Sequence, residues 1–520
     1  MVPILGFDYG NYYSQLIYIL NMDLRTRRGG TPLDLSDPTS PDPNGTPTAF
    51  FRSARRNEGQ PICGFQATMA RPAANIVRYL KRNIEGSVTL DGVTYTYAEM
   101  ITQTIQHCVR EANRQLHAQT QQTTNQIALA YPATFDAKKR ALLISLAEKA
   151  TLEDGRSLKV VGTITEPAAA ALDYLAEYPA AKAETCVMCY DLGAGTFDLS
   201  VVEAFPSGKR APSGNTYYYD ARWTGGDGKL GGMDFDKLLY ELIIKKMGIK
   251  PTGTQVDRLM QIAETTKRVL TRDDRGYASF ETPDGDVFEV EISIEEFNAA
   301  ARPLVQKTVD MVKHALASPN IPRPDLILLT GGASQMRLVK QMLEEALPAY
   351  RDKIVFHRPS KAIAMGAARF ASVEENNGIE PPDPVLVQRT TLELGTVFTG
   401  SDNHDYIEVL IPQGTPIPYT SEEINCRTRF PDQSRLDMSV QEAVNATPDR
   451  RQPARDYHNV MPYTYDLHRS AKDEGKHHLS AVCQLVIDEK NVMYMRVWEP
   501  GRKEQTLDFK KCTYKEWDNP

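Results

Sequence analysis

Asp191-Leu192-Gly193-Ala194-Gly195-Thr196 ends one apolar run, residues 185–190, and opens another, Phe197-Asp198-Leu199-Ser200-Val201. It therefore reads as a tight turn between two strands. Glycines in such a turn let backbone N–H groups converge on an anion with no Cβ in the way, and Thr196 adds a hydroxyl. Asp191 would repel a phosphate directly, so an acid at this position makes sense with a hydrated divalent cation between carboxylate and anion. A single Asp-x-Gly is usually only a β-turn. Here it occurs twice. Near the start an apolar strand ends in Asp8-Tyr9-Gly10, turns through Asn11-Tyr12, and resumes as Gln15-Leu16-Ile17-Tyr18-Ile19. Each half later carries a proline-led helix start, Glu166-Pro167 before residues 168–172 and Arg358-Pro359 before 360–368; proline in the first turn sacrifices no intrahelical bond. The repetition predicts two similar lobes facing one another, with Asp8 and Asp191 framing an anion.

Outward from these hairpins, short β-rich runs (15–20, 127–131, 185–191, 197–202, 326–330) alternate with helix-spaced segments (142–150, 235–247, 256–270, 338–347), the pattern of α/β layers. The texture changes beyond Asn376. Asn377-Gly378-Ile379-Glu380-Pro381-Pro382-Asp383-Pro384 has linker composition. Short alternating runs follow at 407–411, 435–440, 478–488 and 492–498, an antiparallel β module. Residues 445–476 are polar and proline-bearing and predict a long, flexible insertion.

With 520 residues the chain exceeds a single hydrophobic core. Its net charge of −7 argues against a nucleic-acid binder held by a general basic field. No apolar run approaches the roughly 20 residues of a membrane span, and the amino terminus lacks the basic region of a signal peptide; the expectation is a cytoplasmic protein. The odd set of 7 cysteines fits reduced thiols. Cys186 and Cys189 form a C-x-x-C, but on a strand they point to opposite faces and do not converge on a metal.

Further candidates are weaker individually. Glu264, Lys267, Arg268 and Thr271 share one helix face, which by itself reads as a solvated, salt-bridged face and alternatively as a polar wall for adenine and ribose. Thr330-Gly331-Gly332-Ala333 follows a strand and precedes a helix, so backbone can approach a flat ligand closely there. There is no P-loop sequence, no Ser-His-Asp arrangement, and His477-His478 reads as an exposed pair.

Taken in order, Gly6-Phe7-Asp8-Tyr9-Gly10, Tyr131-Pro132-Ala133-Thr134-Phe135, Thr165-Glu166-Pro167-Ala168-Ala169-Ala170-Ala171, the 191–198 hairpin, Leu230-Gly231-Gly232-Met233-Asp234-Phe235-Asp236 and Thr330-Gly331-Gly332-Ala333-Ser334 resemble the seventy-kilodalton heat-shock, or DnaK-type, chaperone family. The resemblance covers residues 1 to about 372. It implies an α/β fold: an actin-like two-lobed ATPase domain of duplicated ribonuclease-H-like lobes at 1–376 (lobe I about 1–180, lobe II about 181–376), a linker at 377–390, and a small antiparallel β-sandwich-like module at 391–520. It also implies ATP or ADP as ligand, with Mg²⁺ and K⁺ near Asp8 and Asp191, and hydrolysis by an in-line water. Asp8, Glu166, Asp191, Thr196 and Asp198 match the family's metal and catalytic positions; Gly10, Asn11, Tyr12, Gly193, Ala194 and Gly195 fall in its phosphate turns. Gly231, Gly232, Gly331, Gly332 and Ala333 match nucleotide contacts, and Glu264, Lys267, Arg268 and Thr271 match the adenosine wall. Pro132 and Arg140 match a proline and an arginine that relay nucleotide state to the substrate domain.

The departures carry weight. In Cys63-Gly64-Phe65-Gln66-Ala67-Thr68, Thr68 stands where the family has a phosphate-contacting lysine; losing such a charge costs on the order of 10²–10³ in rate. Lys81 and Arg82 are the candidates to compensate. Asn11 and Tyr12 replace threonines, Gln335 replaces an adenine-stacking arginine, and Ser360 replaces an acid. Leu410-Ile411-Pro412-Gln413-Gly414-Thr415-Pro416-Ile417-Pro418 is the best match to the family's substrate module, and from the length to Pro520 the expectation is a lidless member. The expectation is a weak ATPase, chaperone-like, coupling nucleotide state to peptide or protein clients through the β module. The implied partners are a J-domain-type co-chaperone or a nucleotide-exchange factor, with no nucleic acid. The alternatives are a nucleotide-gated scaffold with little hydrolysis, or another member of the wider fold such as a small-molecule kinase or filament-forming relative.

Overall fold

A computed structural model describes residues 3–23, 28–40, 45–53, 59–178, 184–210, 216–282, 285–370, 386–399, 405–428, 430–431, 433–443, 451–453, 458–468, 478–502 and 505–508. The chain divides into two compact units, Met1–Thr134 with Ile144–Leu386, and Phe135–Leu143 with Val387–Pro520.

The first unit contains the duplication in full. One sheet has the order Lys159–Thr165, Gln126–Tyr131, Leu5–Tyr9, Tyr13–Leu20, Thr31–Asp34. The first two pairings are parallel and the last two antiparallel. The other sheet runs Ile354–Phe356, Leu326–Thr330, Thr185–Leu192, Phe197–Arg210, Thr216–Asp227 with the same succession of senses. Each repeat is a meander followed by two parallel crossovers, and each ends in a helix, Glu166–Glu177 in the first and Ala362–Phe370 in the second. These helices are almost entirely buried. They approach so closely that a Cβ at Gly366 would overlap the Ala169 carbonyl, and the second helix also lies so close to the strand Leu5–Tyr9 that a Cβ at Gly6 would overlap the Ala364 carbonyl. Alanine and glycine fill this crossing because larger side chains would push the repeats apart.

Register explains the cysteines. Cys186 packs with Met188, Tyr190 and Leu239 on one face of the second sheet, and Cys189 with Val187, Ala169 and Ala170 on the other, as the strand period of two requires.

The second unit is a sandwich of antiparallel sheets. One has the order Arg451–Pro453, Asp405–Ile411, Glu393–Thr399, Arg435–Ala443, His458–Asp466; the other contains Ile424–Arg427, Ser480–Ile487, Met493–Trp498 and Gln505–Asp508. Leu394, Ile411, Val440, Tyr463 and Tyr465 meet Cys483, Leu485, Met495 and Val497 in a shared core.

Two expectations for this part are corrected. Of the segment taken as a linker, 377–385 lies outside the described residues, whereas Leu386–Arg389 is a strand whose Gln388 and Arg389 pair with Ile417 and Pro416. Of the segment taken as a flexible insertion, 445–450, 454–457 and 469–476 lie outside the described residues, but Arg451–Pro453 and His458–Asp466 are strands. The average polarity of 445–476 hid a period-two pattern: Tyr463, Tyr465 and Leu467 are buried while Thr464 and Asp466 are not. His477 also lies outside the described residues; His478 Nδ1 donates to the Thr428 carbonyl at 2.7 Å.

Glu442 is a buried acid in the second unit. It accepts the Ala137 amide (3.2 Å), and burial, partly offset by Arg140, pushes its pKa up to about 7 from the ordinary 4.5. A raised folded-state pKa makes its contribution to stability fully present below about 4.5 and lost as pH rises through about 7. Glu442→Gln is therefore expected to match the parent near pH 5 and to exceed it by about 1–3 kcal/mol at pH 8. Urea unfolding at both pH values measures this; a variant no more stable at pH 8 contradicts it.

Candidate functional site

In the first unit the two repeated turns face each other. Asn11 follows the first Asp-x-Gly, and its side chain lies so close to Gly195 that a Cβ there would overlap the amide nitrogen. Asn11 Oδ1 also accepts the Arg82 amide (2.8 Å), which ties the first turn to the segment after Ile76–Val77. The second turn is closed by the Gly193 amide donating to the Thr196 carbonyl (3.1 Å). It is braced from behind by Gly232 N to Gly193 O and Met233 N to Ala194 O, both 2.9 Å. Gly231, which starts the helix Gly232–Met247, has no room for a Cβ against Ala194 and Gly195, and its amide is held by Asp234 Oδ2 (2.8 Å). Gly331 adopts φ +80 and passes against Asp191 and the Leu192 carbonyl, where any Cβ would collide. Ser334 is buried, accepts the Leu192 amide (3.2 Å) and donates to the Thr330 carbonyl.

Asp8, Glu166, Asp191 and Asp198 gather beside these turns. Asp191, Asp198 and Glu166 are buried, and Asp8 is half-buried. Asp198 Oδ1 accepts the Thr134 amide at 3.0 Å, and Asp191 Oδ1 is buried with no hydrogen-bond partner among the described residues. Burial first, and then Glu166, push both Asp8 and Asp198 up to about 7. Burial and then Glu166, Asp198 and Asp8 push Asp191 well above the usual carboxylate range. The cause is physical crowding of like charge in a desolvated place. Lys81 opposes the rise at Asp8, Asp191 and Asp198. A cluster short of positive charge, with an orphaned buried oxygen next to open glycine turns, fits a divalent cation bound together with an anion.

The wall helix Thr254–Leu270 divides its polar residues. Lys267 is buried, pairs with Asp236 Oδ1 (2.6 Å) and donates to the Gly232 carbonyl (2.9 Å). Arg268 reaches the Tyr13 hydroxyl (3.3 Å), Glu264 is half-buried with its pKa raised by burial, and Thr271 caps the helix through the Arg268 carbonyl (2.7 Å). Gly332 and Gln335 are exposed and Ala333 is buried, in the turn Gly332–Gln335. Thr68 is not among the carboxylates. Its hydroxyl turns back to the Phe65 carbonyl (2.7 Å), and it lines a cavity of about 230 Å³ with Tyr12, Arg78, Tyr79 and Glu264. Pro132 is buried in the first unit, one residue before Ala133 and Thr134; Arg140 belongs to the second, where it donates to the Phe135 carbonyl (3.4 Å).

Sequence reasoning missed Asp236. Fully buried, it joins Lys267 to Tyr12, whose hydroxyl donates to Asp236 Oδ2 (2.5 Å) and also meets the Tyr79 hydroxyl (3.1 Å). The signal was a second acid two places after Asp234 in a helix start, where one suffices for capping. The bond spans the two repeats, and a hydrogen bond to a charged group contributes about 1.5–3 kcal/mol. Tyr12→Phe is expected to lower the stability of the chain by about 1.5–3 kcal/mol in urea unfolding; an unchanged value would show that this bond does not hold the repeats together.

A separate polar knot lies behind the crossing helices. Asp173, Glu177 and His357 have spacing compatible with a metal ion. Asp173, however, already accepts His357 Nε2 (2.8 Å), Arg358 Nη1 (2.9 Å) and Arg369 Nε (2.7 Å), and Arg358 also pairs with Glu177. The arginines supply the positive charge a metal would bring.

Paired Asp-x-Gly turns on duplicated sheets, with a carboxylate cluster between them and an antiparallel sandwich after them, define a two-lobed actin-like protein carrying a β module. Residues 46–454 match the Hsp70 protein family, and the chain belongs to that family. It is 30% identical over 295 residues to the chaperone protein HscA homolog of Haemophilus influenzae strain PittGG, covering 56% of this chain and 43% of that protein. It is 32% identical over 291 residues to the HscA homolog of Laribacter hongkongensis (55% and 43%) and 28% identical over 290 residues to that of Cupriavidus metallidurans (55% and 43%). The chain thus covers less than half the length of these relatives. Among the described residues, no helix is long and apolar enough to cross a membrane.

Proposed function

We propose that the chain is a chaperone-type ATPase that binds Mg²⁺–ATP between its repeated turns and couples nucleotide state to the binding of peptide or protein clients by the β module. The observation that carries this reading is the apposition of the turns, Asn11 against Gly195, beside four carboxylates that lack a full counter-charge.

In this reading the amides of Gly193, Ala194 and Gly195 and the Thr196 hydroxyl bind phosphate oxygens, with Gly10, Asn11 and Tyr12 on the opposite side. Asp8 and Asp191 would hold the metal, and the same acidic surroundings would suit K⁺. Bound Mg²⁺ supplies charge neutralisation and orients the terminal phosphates. Asp198, fixed by the Thr134 amide, and Glu166 orient a water and accept its proton. Gly231, Gly232, Lys267, Arg268, Glu264, Thr271, Gly331, Gly332, Ala333 and Gln335 surround the nucleoside. Pro132 and Arg140 are proposed to relay its state, since Thr134 touches Asp198 while residues 135–143 belong to the second unit. The HscA homologs are named chaperones, which supports peptide or protein clients; a co-chaperone or exchange factor as partner, and cytoplasmic residence, are proposed with them.

A second reading is favoured by Thr68, whose hydroxyl is spent on its own helix: a nucleotide-gated binding protein that hydrolyses little. Single-turnover ATP hydrolysis beside calorimetric ATP affinity separates the two. Tight binding without turnover, with or without peptide, selects the second, and no binding of adenine nucleotide overturns both.

A further inference from the structure

Two cations, Lys81 and Arg82, are adjacent in the chain and point to different places. Arg82 bonds the Lys229 carbonyl (2.7 Å) and Asp234 (3.2 Å), at the start of the helix Gly232–Met247. Lys81 turns inward: it is 2% exposed and its ammonium pairs with Glu166. The backbone prepares this split. Tyr79 adopts φ 60, a left-handed turn, and the Arg82 amide is pinned by Asn11. Burying an ammonium is costly unless it is paired and hydrogen-bonded. This one is placed among the carboxylates most in need of charge, because Thr68 supplies none and faces a different cavity.

We propose that Lys81 is the resident cation of this site, occupying in the nucleotide-free protein the electrostatic place of a divalent ion and set beside the terminal phosphate once nucleotide is bound. The first half stands on the geometry alone, and the second rests on the nucleotide reading above. A tethered ammonium on Glu166 and a free divalent ion then neutralise the same cluster of negative charge, so removing one favours the other.

The test for the first half uses Mn²⁺ as probe, titrated by electron paramagnetic resonance into the nucleotide-free chain. Lys81→Met is expected to bind Mn²⁺ at least about tenfold more tightly than the parent, and Lys81→Arg to keep the parent's weak binding. Equal affinity in Lys81→Met and parent overturns the assignment. If Lys81→Met does not fold, Lys81→Gln keeps a hydrogen-bond donor for buried Glu166 while removing the charge and is expected to shift Mn²⁺ affinity in the same direction; no shift again overturns it. For the second half, single-turnover hydrolysis by Lys81→Met is expected to fall about 10²–10³-fold, with ATP affinity changed less than about tenfold. Adding Thr68→Lys to Lys81→Met is expected to leave the rate low. Recovery in that double variant would assign the phosphate-side cation to position 68 and overturn the second half. A parent chain that binds no ATP refutes the nucleotide reading and with it the second half, while the Mn²⁺ titration still decides the first.

Discussion

Asp173→Ala is expected to lower the stability of the chain by about 3–5 kcal/mol, the effect of leaving a buried cation, Arg369, without its carboxylate. Asp173 is fully buried on the helix Glu166–Glu177 and accepts bonds from His357, Arg358 and Arg369. Burial by itself would raise its pKa, but His357 and Arg369 outweigh burial and hold the carboxyl below the usual range. Alanine would strand Arg369, itself buried, as well as empty a packed site. Asp173→Asn keeps the shape and one acceptor, so its loss should be smaller. Urea unfolding gives both values, and an alanine variant within about 1 kcal/mol of the parent would mean that the arginines find water or other acceptors.

The second large effect is on ligand binding. Asp191→Ala is expected to weaken ATP binding about 10–100-fold in Mg²⁺, the range for losing a group that orients metal-bound water. In EDTA the affinity should not fall, because the substitution then only removes a negative charge facing phosphate. Calorimetry under the two conditions reads the difference directly. An equal loss in both would make Asp191 a structural residue, and no loss in Mg²⁺ would remove it from the metal site.

The duplicated sheets were legible because each repeat announces itself with the same local chemistry, an apolar strand stopped by Asp-x-Gly and a later proline-led helix. The family resemblance then named the fold. Long-range side-chain geometry was less accessible. Lys81 and Arg82 are equivalent as adjacent charges, and which one turns inward depends on the left-handed backbone at Tyr79. The Asp173 knot joins residues 184 to 196 positions apart, though a buried-side acid in the middle of an alanine-rich helix was a usable hint. Tyr12 was read as a phosphate-turn residue standing in place of a threonine, whereas its length lets it reach Asp236. The strand His458–Asp466 was lost to averaging: a window that scores mean polarity cannot see alternate tyrosines.

The alanine–glycine crossing of the helices Glu166–Glu177 and Ala362–Phe370 has a mechanical corollary. Side chains that interlock act as gear teeth and fix an angle; where backbone rests on backbone at Gly366 and Ala169 there are no teeth. Such a contact, a bearing without interlocking side chains, would turn more easily than it separates. The Asp173 knot, with one side on each of the two crossing segments, then acts as the retaining pin, setting how far the bearing turns while the smooth surfaces set how easily.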